Sequence, residues 1–485
     1  MKKLSIFLVV LMILSVSGVW ASGLAIPEQG AAAMGMSAAM TARSEDLSSI
    51  YYNPAGLDYV DGFEILLGIT PIIPSHEYAP YNYPPYNVEA NGFSNQKSES
   101  NTFLPPQIYA AYRASDSIVL GLGVNAPFGL GTEWNKEWDG RYTSTFAEIQ
   151  SVYITPTISY QPTEMVTIGA GVSYVTSTAT IEKMIDTGGK LFSAIPNPAI
   201  IANTMYDSEF SLEGDGTGIG YNVGVIIRPI ENYQFGISYR GAMDIEYDGT
   251  AKFKHQAQNV KDLFTGAYML QGDDAATASA KADGAYASAV AGQMPASQTG
   301  TATLNMPWQL NIGMLKDISE VWDVSAELNI VGWSVYEDLT IDFDDDLPYD
   351  KSTMEKDWEN SYVWRLGSSY DVNERFTARG GAMLDFNPVP GSTFDGQLPD
   401  SDRYAVSIGA GYKLGVLQLD CSYMLLKFLE RSKMNGVGYT VDETDNGVID
   451  RFDVANSPLG AAYPVGNGKY RGMAHLFSVS LSYNF

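Results

Sequence analysis

The chain has 485 residues, a formal net charge of -27 at neutral pH and a sequence pI of about 4.3. Nucleic-acid binding needs basic surface that neutralises phosphates, so this acidic balance argues against nucleic acid as a partner. A single cysteine, Cys421, excludes a disulfide framework and a thiolate metal cluster. We expect it to be a small buried or lipid-facing residue of a strand.

The N-terminus has the layout of a secretory signal. Two lysines precede an apolar run at residues 4–20, and Ala21 offers a small residue at the cleavage position. We expect cleavage after Ala21, so that residues 1–21 take no part in the fold of an exported protein. An uncleaved membrane anchor is the alternative, but the run is slightly short for one and no charged flank follows it.

Residues 22–61 form an Ala- and Gly-rich stretch with many apolar residues and the sequence Asn53-Pro54-Ala55 near its end. A segment of this length either hangs free or folds into the strands that follow, and its apolar content favours burial. We therefore predict an N-terminal plug in which Asn53 bonds backbone groups and Pro54 sets a rigid turn. A loose periplasmic tail is the alternative.

Residues 62–485 have the character of strands separated by loops. Outside the signal, no stretch offers the roughly 18 apolar residues of a membrane helix. An exported protein that spans a membrane must then do so as a closed barrel, which satisfies every backbone group in lipid. Fourteen strands are predicted, at approximate spans 62–74, 102–114, 116–126, 149–161, 164–177, 208–228, 232–253, 299–316, 321–341, 358–371, 374–386, 402–414, 416–431 and 471–485.

The connections between these strands alternate between short turns and long loops. Six short turns on one side and seven long loops on the other is the layout of a single-chain outer-membrane barrel, with both termini at the periplasmic end. A soluble sandwich has no reason to sort its loops by length. The predicted fold is therefore an all-β, 14-stranded antiparallel transmembrane β-barrel over residues 62–485.

Three loop segments are predicted to be helical. Residues 199–205 and 260–270 carry apolar residues at mixed three- and four-residue spacing, and residues 275–291 are rich in Ala. Such segments either cap the barrel mouth or meet a hydrophobic ligand. The long loops also include an acidic run at residues 342–346. We interpret that run as solvated surface, with a divalent-ion contact as the alternative.

The last nine residues alternate without a fault. Apolar and aromatic side chains occupy the odd positions from Phe477 to Phe485, and Ser or Asn occupies the even ones. One apolar face and one small polar face suit a wall between lipid and water. An edge strand of a soluble sandwich gives the same pattern, so the choice between the two depends on the strands and loops of the rest of the chain.

Signatures of catalysis are missing from the sequence. His76, His255 and His475 are far apart and lack metal-ligand spacing. There is no Gly-x-Ser-x-Gly elbow and no pair of carboxylates with an evident acid–base role. We expect no enzyme activity, no metal and no cofactor. An outer-membrane lipid hydrolase and a general or sugar porin remain as alternative functions.

Four stretches carry a resemblance to a known family. They are residues 22–29 (SGLAIPEQ), 46–57 with NPAGL at the end, 121–134 (GLGVNAPFGLGTEW) and 138–142 (WDGRY). Together they resemble the FadL-type outer-membrane transporters, which take up long-chain fatty acids and, in some branches, aromatic hydrocarbons. The resemblance covers essentially the whole chain. The loops around 275–291 and 342–346 depart from the family, so the ligand-contacting residues of the family cannot be aligned with residues of this chain.

The resemblance implies a fourteen-strand barrel closed by an N-terminal plug and opened sideways by a kink in the third strand. The plug motif would be Asn53, Pro54 and Ala55. The kink would fall at Asn125, Ala126, Pro127, Phe128 and Gly129. Pro127 donates no ladder hydrogen bond and Gly129 weakens a strand, which fits a kink, although an ordinary strand end is the alternative.

The implied function is passive uptake of a hydrophobic molecule across the outer membrane of a Gram-negative bacterium. Ligand would be captured at the outer loops and released laterally through the kink. Long-chain fatty acids are the first choice, and aromatic or alkane hydrocarbons are the alternative. The expected partners are this ligand, outer-membrane lipid and lipopolysaccharide, and the chain is expected to be a monomer.

Three arginines are candidates for holding a ligand carboxylate: Arg240, Arg365 and Arg379. Each occupies one of the alternating polar positions of its strand and should face the lumen. An Arg that faces lipid near the midplane of the bilayer destabilises the barrel by about 2–4 kcal/mol. An Arg inside the barrel grips a carboxylate through two parallel hydrogen bonds. The alternative is that these arginines pair with acids of the plug or lumen such as Asp385 and Glu28.

Overall fold

The computed structural model describes residues 23–80, 96–192, 194–344, 351–433 and 465–485. The expected signal peptide and the end of the acidic run, Asp345 and Asp346, lie outside these ranges. Within the described ranges, no helix combines the length and apolar character needed to cross a bilayer.

The described strands belong to one antiparallel sheet. Its segments are β1 (Phe63–Ile69), β2 (Ile72–Pro80), β3 (Gln96–Lys97), β4 (Pro106–Ser115), β5 (Ile118–Asn125), β6 (Gly129–Glu133), β7 (Phe146–Thr163), β8 (Val166–Ile185), β9 (Ser208–Ile230), β10 (Tyr233–Arg240), β11 (Met243–Lys254), β12 (Ser297–Met306), β13 (Trp308–Ser319), β14 (Trp322–Gly332), β15 (Asp338–Phe343), β16 (Lys351–Glu355), β17 (Ser361–Asp371), β18 (Phe376–Asp385), β19 (Arg403–Leu414), β20 (Leu417–Lys433) and β21 (Gly468–Asn484).

These segments make fourteen barrel strands, because six consecutive pairs continue one another across the wall. The pairs are β1 with β2, β5 with β6, β10 with β11, β12 with β13, β14 with β15, and β16 with β17. Apart from the two-residue β3, every other segment is a barrel strand by itself. Each strand pairs with its neighbours in sequence, and β21 closes the circle against β1 and β2. This closed antiparallel barrel confirms the predicted fold class.

The alternating sequence pattern decides which side chains face outward. On β21, Phe477 and Val479 are 47% and 46% exposed, whereas Ser478 and Ser480 are 1% exposed. Outward apolar side chains meet lipid, and small polar side chains let the interior pack closely. Cys421 lies opposite Val479 on the outer face and is exposed, which is the second of the two predicted positions, buried or lipid-facing.

Several strands are longer than predicted at their extracellular ends. β8 continues to Ile185 rather than residue 177, and its ladder with β7 runs to Phe146 opposite Glu182. The predicted loop 127–148 contains β6, and the predicted loop 342–357 contains β16. These extensions are rich in Thr, Ser and charged residues, so they lack the apolar alternation used to predict strands. Backbone pairing with a neighbouring strand nevertheless keeps them extended.

The loop helices were predicted with mixed success. Helices occur at Ala257–Leu270 and Ala275–Tyr286, and a π-helical turn extends the second to Ala291. Their apolar side chains pack with those of the 186–206 loop into one cluster outside the barrel. The segment 199–205, which was predicted to be partly helical, has only the short 3₁₀ turn Pro198–Ile200 at its start. Asn197 caps that turn, and the extended backbone of Ile201 ends it.

The N-terminal segment, residues 23–62, lies inside the barrel. Nearly all of its apolar side chains are buried, and its backbone approaches the wall closely at glycines. A Cβ on Gly236 would lie 2.0 Å from Thr41 O, and one on Gly169 would lie 2.3 Å from the carbonyl carbon of Pro54. Only residues without a Cβ permit this approach, so the wall is shaped to receive the segment.

Partly buried ion pairs join the segment to the periplasmic half of the wall. Arg43 is fully buried, and its guanidinium contacts Asp323 of β14 and lies 2.7 Å from Glu45. Arg228 of β9 lies 2.8 Å from Asp58. Removing one member of such a pair leaves an uncompensated charge away from water, which is strongly destabilising. These contacts therefore fix the segment in one position.

Candidate functional site

The barrel wall is interrupted between its second and third strands. The ladder between β4 and β5 ends where Gln107 lies opposite Asn125. Eight residues further along each strand, the backbone N–H of Glu99 donates to Glu133 O at 2.8 Å. The register is thus the same on both sides of the interruption. Between these two points, residues 100–106 and residues 126–132 do not pair with each other, and we call this interruption the wall gap.

Prolines and a bulky ring keep the two edges of the wall gap apart. Pro105 and Pro106 on one edge and Pro127 on the other have no N–H to donate to a ladder. Phe103 pairs through its backbone with Ile72 of β2, and its ring fills the space beside Gly131. The edges therefore lack the donors and the room needed to form a continuous sheet.

From inside, the start of the N-terminal segment covers the wall gap. The N–H of Ile26 donates to Pro127 O at 2.8 Å, and Gln29 Nε2 donates to Ala126 O at 3.0 Å. The structure thus places all five predicted kink residues at this break: Asn125 ends β5, Gly129 begins β6, and Ala126, Pro127 and Phe128 lie between them. The N-terminal segment, rather than the facing strand, satisfies these carbonyl groups of the break.

A large apolar cleft lies above this segment, in the extracellular half of the barrel. It holds about 940 Å³ between the wall and the loops and is lined by 23 residues from β6, β7, β8, β9, β11, β12, β15 and the loops. Most of them are apolar, among them Leu24 of the N-terminal segment, Tyr247, Tyr336 and Trp358. We call this space the outer cleft. Its mainly apolar lining is that of a site for a hydrophobic small molecule.

Lys356 is the one cationic residue that lines the described outer cleft. It is 7% exposed, and its Nζ lies 3.0 Å from Gln397 Oε1 and 3.7 Å from the Asp395 carboxylate. A buried ammonium with a loose carboxylate contact has donor capacity left for another acceptor. Sequence reasoning missed Lys356, since it sits in a predicted loop with no strand alternation to mark its direction.

The predicted arginines contact the N-terminal segment or its surroundings. Arg240 donates to Tyr51 O at 2.9 Å, and Arg365 donates to Ser37 O at 3.0 Å. Both line a smaller polar pocket of about 420 Å³ beside Glu327. Arg379 instead pairs with Asp420 of β20 at 2.7 Å. Asp385, which was named as an alternative partner for these three arginines, pairs instead with Arg403 at 2.8 Å.

The Asn-Pro-Ala motif lies where the segment meets the wall. Asn53 Nδ2 donates to Thr41 O at 2.7 Å and to Val225 O of β9 at 3.2 Å, and its Oδ1 accepts from the N–H of Ala55 at 3.1 Å. Pro54 opens the 3₁₀ turn that follows. One side chain thus ties two parts of the segment to each other and to the barrel.

We predict that Asn53→Ala lowers the stability of the folded barrel by about 1–3 kcal/mol, because buried backbone groups lose their partners. Thermal unfolding followed by the heat-modifiable gel shift measures the change. Asn203→Ala is the matched control, since Asn203 bonds only loop atoms at Ala199 O and Met205 N. Equal midpoints for the two variants would contradict the role given to Asn53.

The WDGRY stretch ties the outer loops together. Arg141 Nε donates to Asp207 Oδ2 at 3.1 Å, and the Tyr142 hydroxyl donates to the same carboxylate at 2.8 Å. Burial raises the pKa of Asp207 to about 6, although the Arg141 charge opposes the shift.

The histidines do not form a metal site. His255 bonds Ser208, His475 bonds Tyr423, and the two lie apart. In the described part of the chain, no cluster of His, Cys, Asp and Glu is arranged to hold a metal.

Comparisons with known proteins agree with this geometry. The family described as "Outer membrane protein transport protein (OMPP1/FadL/TodX)" matches residues 12–485. The chain is 23% identical over 418 residues to a long-chain fatty acid transport protein of Salmonella typhi, covering 84% of this chain and 88% of that one.

Two solved structures share the fold. A FadL homologue of Pseudomonas aeruginosa superposes with a TM-score of 0.75 at 18% identity, covering 96% of this chain and all of that one. The toluene transporter TodX of P. putida superposes with a TM-score of 0.62 at 16% identity, covering 94% and 98%.

Proposed function

Because the chain belongs to the outer membrane protein transport family (OMPP1/FadL/TodX), we propose that it mediates passive uptake of long-chain fatty acids. The chain is an outer-membrane β-barrel of a family of transport channels, not enzymes. We propose the identity of the substrate, its path through the barrel and its exit into the membrane. They rest mainly on one observation, the apolar outer cleft with a single lining cation.

The outer cleft supports an amphipathic ligand. Its apolar walls suit an acyl chain, since burying methylene groups gains about 0.8 kcal/mol each. Lys356, which lines the same space, offers an ammonium to a carboxylate. A charge-assisted hydrogen bond of this kind is worth about 1.5–3 kcal/mol. A fatty acid uses both features, whereas an alkane uses only the first.

The proposed route runs from the outer cleft past the N-terminal segment to the wall gap. Leu24 lines the outer cleft, and the next residues, 25–28, line a second cavity directly behind the gap. A few residues therefore separate the two spaces. Ile26 and Gln29 hold this part of the segment against the wall by hydrogen bonds to Pro127 and Ala126, and we propose that a shift which breaks these bonds connects the cavities. We propose that ligand then leaves sideways into the lipid.

Aromatic hydrocarbons are the second candidate because of one observation. The extracellular half holds a cluster of buried aromatic residues that continues into the outer cleft through Tyr247, Tyr336 and Trp358. The rings of Trp333 and Trp358 meet edge to face at 4.7 Å. Aromatic walls favour aromatic ligands through such edge and face contacts. This reading gives Lys356 no ligand to bind.

The three arginines stay as proposed secondary anchors with a weaker case. Arg240 and Arg365 already donate to backbone carbonyls of the N-terminal segment, and Glu327 faces the same pocket. A ligand carboxylate there would compete with those carbonyls and meet a like charge. Arg379 is already paired with Asp420. Lys356 is therefore the first choice for the carboxylate.

We predict that Lys356→Met weakens oleate binding about tenfold or more and leaves binding of a long alkane within twofold, since only oleate loses a charge-assisted hydrogen bond. Equilibrium binding of labelled ligands to detergent-purified protein measures both. Lys351→Met is the matched control, because Lys351 is exposed and pairs with Asp342 outside the cleft. Equal losses for oleate and alkane would favour a hydrocarbon substrate.

The porin and hydrolase alternatives have direct tests. A porin would make liposomes swell in sugar solutions, whereas the buried N-terminal segment predicts no swelling. A lipid hydrolase would release fatty acid from phospholipid. Sugar-driven swelling by the full-length protein would overturn the transport proposal in favour of a porin.

A further inference from the structure

The cavity behind the wall gap has chemistry of its own. It holds about 590 Å³ between residues 25–28 of the N-terminal segment and the wall. Phe103 and Gly129, which border the wall gap, also line this cavity, so a ligand leaving through the gap must pass it. We call it the gate pocket. Its walls are mainly apolar, with Ile72, Leu426 and Phe428 among them.

One buried side chain in the gate pocket has a polar atom without a protein partner. His76 is 4% exposed, and its Nδ1 makes no hydrogen bond among the described residues. The Phe428 ring packs edge-on against the imidazole at 5.2 Å and fixes its plane. Buried polar atoms almost always have a partner, so this nitrogen is a hydrogen-bonding group held ready for one.

The neighbouring strand leaves space beside that nitrogen. His76 lies opposite Gly472 of β21, and a Cβ on Gly472 would lie only 2.7 Å from Nδ1. Any other residue at this position would crowd the ring nitrogen. Nδ1 itself has almost no accessible surface, so a small group reaches it only when the atoms around it shift, and the absence of a side chain at Gly472 leaves room for that shift.

The charges around the gate pocket do not favour an anion. Arg403 lines the pocket, but its Nε donates to Asp385 Oδ2 at 2.8 Å, and both side chains are buried. Glu28 adds a further carboxyl group from the N-terminal segment. An ionised carboxylate would therefore meet the carboxyl group of Glu28 and a guanidinium that is already paired with Asp385. An uncharged hydroxyl meets no such repulsion and bonds a neutral imidazole as donor or acceptor.

We propose that the gate pocket binds the uncharged hydroxyl end of an amphipathic chain, an alcohol or a protonated carboxylic acid, with His76 as its hydrogen-bond partner. Ligand thus passes the wall gap as a neutral molecule. This inference rests on the proposed function and deepens it. The outer cleft selects the charged head, and the gate pocket selects the uncharged form that enters lipid at low cost.

Anomalous diffraction from crystals soaked with 2-bromododecan-1-ol, whose bromine lies on the carbon next to the hydroxyl-bearing carbon, tests this assignment. In the wild-type protein, bromine density is expected in the gate pocket and in the outer cleft. His76→Phe keeps the ring packing and removes the hydrogen bond, so gate-pocket occupancy at subsaturating ligand should fall about fivefold, the effect of one net hydrogen bond. Gly472→Ala keeps the imidazole but crowds Nδ1, and it should cause the same loss.

His475→Phe is the matched control, because His475 lies on the neighbouring strand β21, opposite Ile73 of β2, and bonds Tyr423 instead. It should leave both bromine sites unchanged. Bromine confined to the outer cleft of the wild-type protein, or gate-pocket occupancy unaffected by both variants, would overturn the role of His76. Absence of bromine from both cavities would instead count against the proposed function itself.

Discussion

Deleting residues 23–58 should turn a closed barrel into an open channel with resolved current steps in planar bilayers. A fourteen-strand barrel encloses a lumen wide enough to conduct unless something fills it. The N-terminal segment fills it with buried apolar side chains and with the Arg43–Asp323 and Arg228–Asp58 contacts. We propose that the segment acts as a plug, and its loss leaves a polar, water-filled lumen.

The deletion is designed to leave the barrel intact. It keeps residues 59–62, so the Arg113 side chain retains its hydrogen bond to Val60 O at the start of β1. A deletion of similar kind in the outer loops, residues 273–291, is the matched control, because that helix packs outside the barrel. The control should remain non-conducting. Unchanged conductance after removal of residues 23–58 would sink the plug proposal.

Locking the wall gap shut should abolish transport reversibly. Asn101 and Gly131 hold opposite positions in the register shared by both ends of the gap, and Asn101 Nδ2 already reaches Glu133 on the facing strand at 3.0 Å. A cysteine pair at these positions, in a Cys421→Ser background, brings the edges together on oxidation. The Phe103 ring must move aside, since it occupies the space next to Gly131.

Uptake of oleate by cells making the cysteine pair should fall to background when oxidised and recover on reduction. Tyr112→Cys with Leu120→Cys is the control, because these residues face each other in the closed part of the same ladder and point outward. Its oxidation should change nothing. An oxidised gap with normal uptake would show that ligand leaves by another path.

The sequence predicts the wall well because burial enforces its pattern. A strand such as β21 has one face in lipid and one in the lumen, so alternation alone sets its position and direction. The break after Asn125 could also be predicted from the sequence, because Pro127 has no N–H to donate to a neighbouring strand. Its counterpart on the other edge, Pro105-Pro106, carries the same signal, and it lies inside a segment that was predicted as an unbroken strand.

The partners of charged residues were harder to predict. Alternation places Arg365 and Arg379 on the lumen side, but their partners are Ser37 O, 328 residues away, and Asp420, 41 residues away. Register and the path of the N-terminal segment set those contacts, and a single sequence shows neither. Lys356 was missed for a related reason, because its direction depends on loop packing against Gln397.

Oleate uptake by an Escherichia coli strain lacking its own long-chain fatty acid transport protein tests the central claim most directly. The strain would make this chain, and heat-modifiable mobility would verify that the barrel is folded in the outer membrane. The proposed function predicts restored uptake of labelled oleate, reduced by Lys356→Met and unaffected by Lys351→Met. A folded, correctly inserted barrel that restores entry of neither oleate nor toluene would contradict it.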